Sequence, residues 1–310
     1  MAPPAPTTGS RSAVFVGGPV YPTNPNAGQV VADLRGSGFT TVILWSIHVW
    51  CDQTDEQNPN NGDLYYNGEL IVHNGEYVGD PAWPDLVGQL KTGDGTSVNR
   101  VEVSVGSGGV SDWNNIAYLI NAQGTGSTSV LYRNFQALLA ATGADAVDSD
   151  NEDYYDVDSG VAFMRMTQDL GYPNSTFVPF DNQDYWAALK ASLGSFVDRT
   201  YVQCYAGGDI NASAEALIEW SNQLDGMSVD PGLWCRHTEE TGDTCASGDS
   251  PTDVHDTLSG WISESAPLSG GFIWLYDDIA KCAQQTGCTA ANYAQAINQA
   301  TGVRIPVTTR

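Results

Sequence analysis

Along the 310 residues, short β-branched or apolar runs alternate with amphipathic segments, and this alternation limits the fold more than any other feature. Phe39–Ile47 is almost wholly apolar, the pattern of a strand buried on both faces of a parallel sheet. Comparable runs lie at Ala13–Val16, Val101–Val105, Thr176–Phe180, Tyr201–Tyr205 and Gly271–Tyr276. An acid-rich segment after Gly143 supplies a fourth strand, and Met227–Trp234 an irregular seventh. Helices are expected at Ala27–Leu34, Pro84–Lys91, Val130–Ala141, Val161–Leu170, Tyr185–Leu193, Ala212–Leu224, Val254–Ser263 and Ala290–Ala300. Gly143, Gly171 and Gly194 supply stop signals. Eight strand–helix units of uniform composition predict one (β/α)8 barrel over residues 13–303. Residues 1–12 are expected to be a flexible leading segment and 304–310 a tail. A doubly wound open sheet is the alternative, but no Gly-x-Gly-x-x-Gly opens a helix after the first strand. The polar stretch Trp50–Asp80 carries Asn67-Gly68 between two strand-like runs, which predicts a hairpin insertion after strand two.

The chemistry concentrates in Ala144–Asp158, where seven of fifteen residues are acids. Asp148, Asp150 and Glu152 recur with period two, so on a strand they share one face, roughly 6–7 Å apart. Like charges at that spacing push proton affinities apart, leaving one acid protonated beside an ionised neighbour. Glycoside hydrolysis requires that state. The competing readings are a solvated acidic loop or a calcium loop. The latter is weakened by Asp153, which stands where the calcium loop needs glycine.

Composition narrows the function classes. Net charge is −25 with 12 Lys and Arg, so no basic stripe exists for nucleic acid or an anionic membrane. No apolar run reaches membrane-spanning length. No Cys/His cluster has metal-ligand spacing, and no cofactor or metal is expected. Six cysteines, at 51, 204, 235, 245, 282 and 288, suit an oxidising compartment. Their short spacings predict the pairs Cys235–Cys245 and Cys282–Cys288. Cys51 and Cys204 are left as a third pair or as two buried thiols. A secreted monomer is expected.

In a barrel of this type the site lies at the C-terminal strand ends. Glu152 would sit nearest the rim, with Asp150 and then Asp148 below. Gln203 and Tyr205 end strand six. Trp274 and Tyr276 end strand eight. Tyr21, Trp45, Trp50 and Trp113 are further aromatic candidates, since flat rings with a polar tip suit sugar stacking.

Together these residues resemble family 18 glycoside hydrolases, the chitinases and endo-β-N-acetylglucosaminidases. Asp145-Ala-Val-Asp148-Ser-Asp150-Asn-Glu152 is similar to their Asp-Gly-x-Asp-x-Asp-x-Glu signature. Ser104-Val-Gly106-Ser107-Gly108-Gly109 resembles their strand-three Ser-x-Gly-Gly element. Gln203-Cys204-Tyr205 is similar to the Gln-x-Tyr of plant chitinases, and Gly270-Gly271-Phe272-Ile273-Trp274 to the strand-eight neighbourhood. Ala146, Asn151, Asp153 and Ala206 depart from the pattern. The resemblance implies a polysaccharide or glycan substrate containing β-linked N-acetylglucosamine. It implies a retaining, substrate-assisted mechanism. Glu152 would be general acid, Asp150 would orient the acetamido group with Asp148 beneath it, and Tyr205 would hold the acetamido oxygen. Trp274 would form the floor, with Gln203, Trp45, Tyr21 and Tyr276 as further substrate contacts. A barrel that binds carbohydrate or protein without cutting, or one that hydrolyses a different glycan, are the alternatives.

Overall fold

In a computed structural model of the chain, residues 11–238 and 245–302 are described. The expected leading segment and tail therefore fall largely outside the described residues, although the first strand already begins at Arg11. Eight strands run parallel: β1 (Arg11–Val16), β2 (Thr41–Val49), β6 (Arg100–Gly106), β7 (Ala146–Asp150), β8 (Asn174–Phe177), β9 (Val197–Thr200), β10 (Gly232–Trp234) and β11 (Gly270–Trp274). Their spatial order is β10-β11-β1-β2-β6-β7-β8-β9. The two outer members meet, because Asp230 N donates to Thr200 O and Gly232 N to Val202 O, at 2.9 and 2.8 Å. The insertion after β2 is an antiparallel ribbon of β3 (Leu64–Tyr66), β4 (Glu69–His73) and β5 (Glu76–Tyr77). Its first turn is Asn67-Gly68, both at positive φ, as a tight two-residue hairpin demands.

Strand alternation divides the apolar residues in two. Val14 and Val16 of β1 face the helices and join the large outer core, whereas Ala13 and Phe15 face the barrel interior with Ile43, Tyr201 and Phe272. The expected helices form with small changes at their ends, among them α4 (Val130–Thr142), α5 (Val157–Leu170) and α7 (Ala214–Gln223), the last capped by Ser213. Two helices escaped the sequence reading. One is α3 (Asp112–Gln123), whose three asparagines weaken its helical signal although Trp113, Ile116, Ala117 and Leu119 are buried on one face. The other is α9 (Tyr276–Thr286), which starts where strand eight was expected to end.

Strands five and six also differ from expectation. β8 stops at Phe177, short of the predicted Phe180, and β9 (Val197–Thr200) ends before the predicted Tyr201–Tyr205 begins. Pro179 has no N–H to give to a ladder, so the pairing loosens there. The chain beyond β9 is still guided, since Gln203 N donates to Pro179 O at 2.8 Å and Gln203 bridges Gly232.

The cystine differs too. Cys245 pairs with Cys282, while Cys51, Cys204, Cys235 and Cys288 are free. Neither predicted pair, Cys235–Cys245 or Cys282–Cys288, forms, and Cys51 and Cys204 follow the alternative of free thiols, Cys204 buried and Cys51 half-buried. Cys235 is buried with its thiol on Leu275 O, and Cys282 lies on the buried face of α9, which brings it to Cys245 instead.

Candidate active site

Three of the predicted acids stack up the barrel interior on and just beyond β7. Asp148 is fully buried, Asp150 nearly so, and Glu152 is half-buried just beyond the strand end. Asp148 Oδ2 accepts from Ser104 Oγ at 2.7 Å, and Thr176 Oγ1 lies 2.8 Å from Asp148 Oδ1. Asp150 Oδ2 accepts from the Trp45 indole N–H at 2.9 Å. Its Oδ1 is buried and has no hydrogen-bond partner among the described residues. Glu152 Oε1 accepts from Gln203 Nε2 at 3.1 Å.

Burial dominates the electrostatics. It raises Asp148 to about 7, helped by the charge of Glu102 below it. It also pushes Asp150 well above the usual carboxylate range, with Glu152 and then Asp148 adding to the effect. The Tyr205 phenol is driven upward by burial and by the same acids.

Above the acids lies a cavity of about 190 Å³, lined by Trp45, Trp274, Trp234 and Tyr205 together with Asp150, Glu152 and Gln203. Trp274 meets Trp45 edge-on at 4.7 Å and stacks near Tyr205 at 6.0 Å. One close approach needs glycine: a Cβ on Gly106, at φ +99°, would fall 2.4 Å from Asp150 O, whereas Gly108 lies against the movable end of Glu152. Asp153, the extra acid, faces the same loop and accepts from Gly109 N at 2.6 Å and Val110 N at 3.1 Å. It fixes that loop, and no group of acids, His or Cys among the described residues could hold a metal ion.

The structure therefore brings Asp148, Asp150, Glu152, Gln203, Tyr205, Trp45 and Trp274 into one interior. Tyr21 and Tyr276 do not join them. Tyr21 packs on Tyr66 and Trp83 and accepts from Asp80 N, so the hairpin insertion covers it. Tyr276 is the first residue of α9 and donates to Asp33. Trp113 is core, its indole N–H on Val105 O, and Trp50 is exposed on the insertion. Trp234 was missed by the sequence reading. It ends β10, stacks on His237 at 3.9 Å and donates to Asp278 at 2.9 Å. The seventh strand was expected to end at Trp234, as β10 does, so the rule that places sites at strand ends already pointed to it.

No protein-family model and no curated protein matches the sequence. Solved structures do match in fold. A fungal endo-β-N-acetylglucosaminidase of glycosyl hydrolase family 18 superposes with TM-score 0.66 at 17% identity, covering 95% of this chain and 98% of that one. A family 18 chitinase from Pseudoalteromonas aurantia gives 0.61 at 16% identity, covering 94% and 100%. This chain has the fold of the family 18 glycoside hydrolases. A human pseudo-chitinase with retained chitooligosaccharide binding shares that fold too, with TM-score 0.59 and 10% identity over 94% of this chain and 100% of the other. The family 18 fold thus occurs in proteins described as cutting and in one described as binding alone. The function of this chain has to be argued from its own residues.

Proposed function

We propose that the chain is a secreted glycoside hydrolase cleaving β-linked N-acetylglucosamine glycans, chitin or an N-glycan core. One observation carries the reading: the buried Asp150 lies beneath an aromatic-walled cavity beside the half-buried Glu152, whose carboxyl reaches it. Glu152 gives its proton to the glycosidic oxygen as the bond from that oxygen to C1 breaks. The substrate's acetamido oxygen attacks C1, closing a five-membered ring, while the acetamido N–H donates to Asp150. Water then opens the ring and returns a proton to Glu152, so the anomeric configuration is retained. Tyr205 hydrogen-bonds the acetamido group, and Trp274 stacks under the reacting sugar. Gln203 holds the Glu152 carboxyl in place.

Glu152→Gln tests the assignment. Chitin oligosaccharides and N-glycans are offered to both proteins, with a thiazoline analogue of the cyclised intermediate as inhibitor. The expected result is inhibited hydrolysis by the parent and none by a variant that melts at the same temperature. Full-rate hydrolysis by the variant refutes the acid role, and hydrolysis insensitive to the thiazoline refutes acetamido assistance.

A second reading, glycan binding without cleavage, is favoured by Ala206. It lines the cavity with a left-handed backbone and offers no polar side chain beside Tyr205. A binding barrel retains chitooligosaccharides on the parent protein without releasing products.

A further inference from the structure

Below the proposed catalytic acids lies a fourth buried acid, Glu102 on β6, which the reaction does not itself use. Its Oε1 accepts from Arg100 Nε and from the Tyr201 hydroxyl, the latter at 2.8 Å. Its Oε2 lies 2.7 Å from Thr176 Oγ1, and the same hydroxyl is 2.8 Å from Asp148 Oδ1. The hydrogen inventory across this bridge decides the protonation state. Two short oxygen–oxygen contacts need two hydrogens, and a threonine hydroxyl supplies one. The second belongs to a carboxyl. Burial raises Glu102, but Arg100 and Arg199, with the Thr176 and Tyr201 hydroxyls, outweigh it and hold Glu102 below the usual range. Glu102 is therefore the ion, Thr176 donates down to it, and Asp148 carries the second hydrogen on Oδ1.

We propose that Glu102 is a positioning residue that, acting through Thr176, keeps a proton on the underside of Asp148 and so leaves Asp150 to face Glu152 alone. This rests on the hydrolase reading only for its catalytic consequence. The groups facing the bridge are Arg100 from β6, Asp148 from β7, and Arg199 and Tyr201 from β9 and the residue after it. Arg199 Nη1 donates to the uncharged Thr41 Oγ1 of β2 at 2.8 Å. Asp198 takes both terminal nitrogens of Arg100, at 2.8 and 2.9 Å, and Asp230 lies near Arg199. Ser104 donates to Asp148 from above, and Asp150 is its upper neighbour.

The test reads the Asp148 proton directly. Infrared difference spectra are titrated across neutral pH, with Asp148→Asn identifying the protonated-carboxyl band. Glu102→Gln removes the ion, and Arg100→Met/Glu102→Met removes the ion pair while keeping the volume apolar. The expected result in each is a midpoint lower by about one pH unit or more. In the hydrolysis assay the fall in kcat at high pH moves the same way, with KM changed by less than about twofold. Should Glu102→Gln fail to fold, the double variant decides. An unchanged midpoint in the folded variants overturns the proposal. A shifted midpoint in a protein that cuts no glycan upholds it and refutes the hydrolase reading instead.

Discussion

Replacing Asp148 by Asn removes a pH dependence of stability that only a buried, neutral aspartic acid predicts. The Asn amide imitates the protonated acid: its N–H₂ donates to Thr176 and its oxygen accepts from Ser104, the contacts made at 2.8 and 2.7 Å in the parent. The parent carboxyl rises from an ordinary 3.8 to about 7 on folding, through burial first and the Glu102 charge second. A group that binds its proton more tightly when folded stabilises the fold fully below its unfolded value and loses that contribution as pH rises to the folded one. Each tenfold change in proton affinity is worth about 1.4 kcal/mol, so the loss is about 4 kcal/mol at most. Chemical denaturation of parent and variant across the pH range gives the comparison. The curves should coincide in acid, diverge between about pH 4 and about pH 7, and leave the variant more stable by up to about 4 kcal/mol beyond. Parallel curves through that window would show that Asp148 is ionised in the fold, and the hydrogen count at Thr176 would be wrong.

Other perturbations address the cavity and its supports. Trp274→Ala, which deletes contacts to Trp45, Phe15 and Tyr205, should lower kcat/KM on chitin oligosaccharides at least about tenfold, a loss of about 1.4 kcal/mol. Asp153→Ala frees the amides of Gly109 and Val110, so kcat/KM should drop several-fold with the melting temperature unchanged. Removing the Cys245–Cys282 bridge, with its sequence separation of 37, should cost about 3–4 kcal/mol by the chain-entropy relation. Equilibrium unfolding of Cys245→Ser/Cys282→Ser measures it, and an unchanged midpoint would contradict the bridge.

Much of the architecture could be read from local periodicity. A run such as Phe39–Ile47 has few alternatives to a doubly covered strand, and the two-residue spacing of Asp148, Asp150 and Glu152 predicts one column whatever the rest of the fold does. What was lost depended on where elements stop. Tyr276 lies two residues past the end of β11, and the turn into α9 swings it from the cavity to Asp33. Tyr21 is an aromatic near a strand end, but the insertion buries it against Trp83, and no pattern near Tyr21 announces that cover. Trp234 ends the expected seventh strand as it ends β10, but strand periodicity marks no residue there as part of a cavity wall. Cystine pairing failed for a similar reason. Spacing along the chain says which cysteines are near in sequence, whereas Cys245 and Cys282 meet because α9 packs back towards the loop after β10.

The column of acids also explains where the few cations sit. A barrel interior cannot hold several ionised carboxylates without compensation, since burying even one isolated charge costs several kcal/mol. Arg100 and Arg199 stand at the N-terminal end, and Arg11 is held there by Asp198 O at 3.1 Å. Among the described residues, no Lys or Arg lines the cavity at the other end. Glu102, beside the arginines, is pulled below the usual range, whereas Asp148 and Asp150, farther up, are pushed above it. The direction thus reverses between Glu102 and Asp148, where the cations no longer outweigh burial. Arg100 and Arg199 hold the lowest acid ionised, while burial and then the neighbouring acids favour the proton on Asp148 and Asp150.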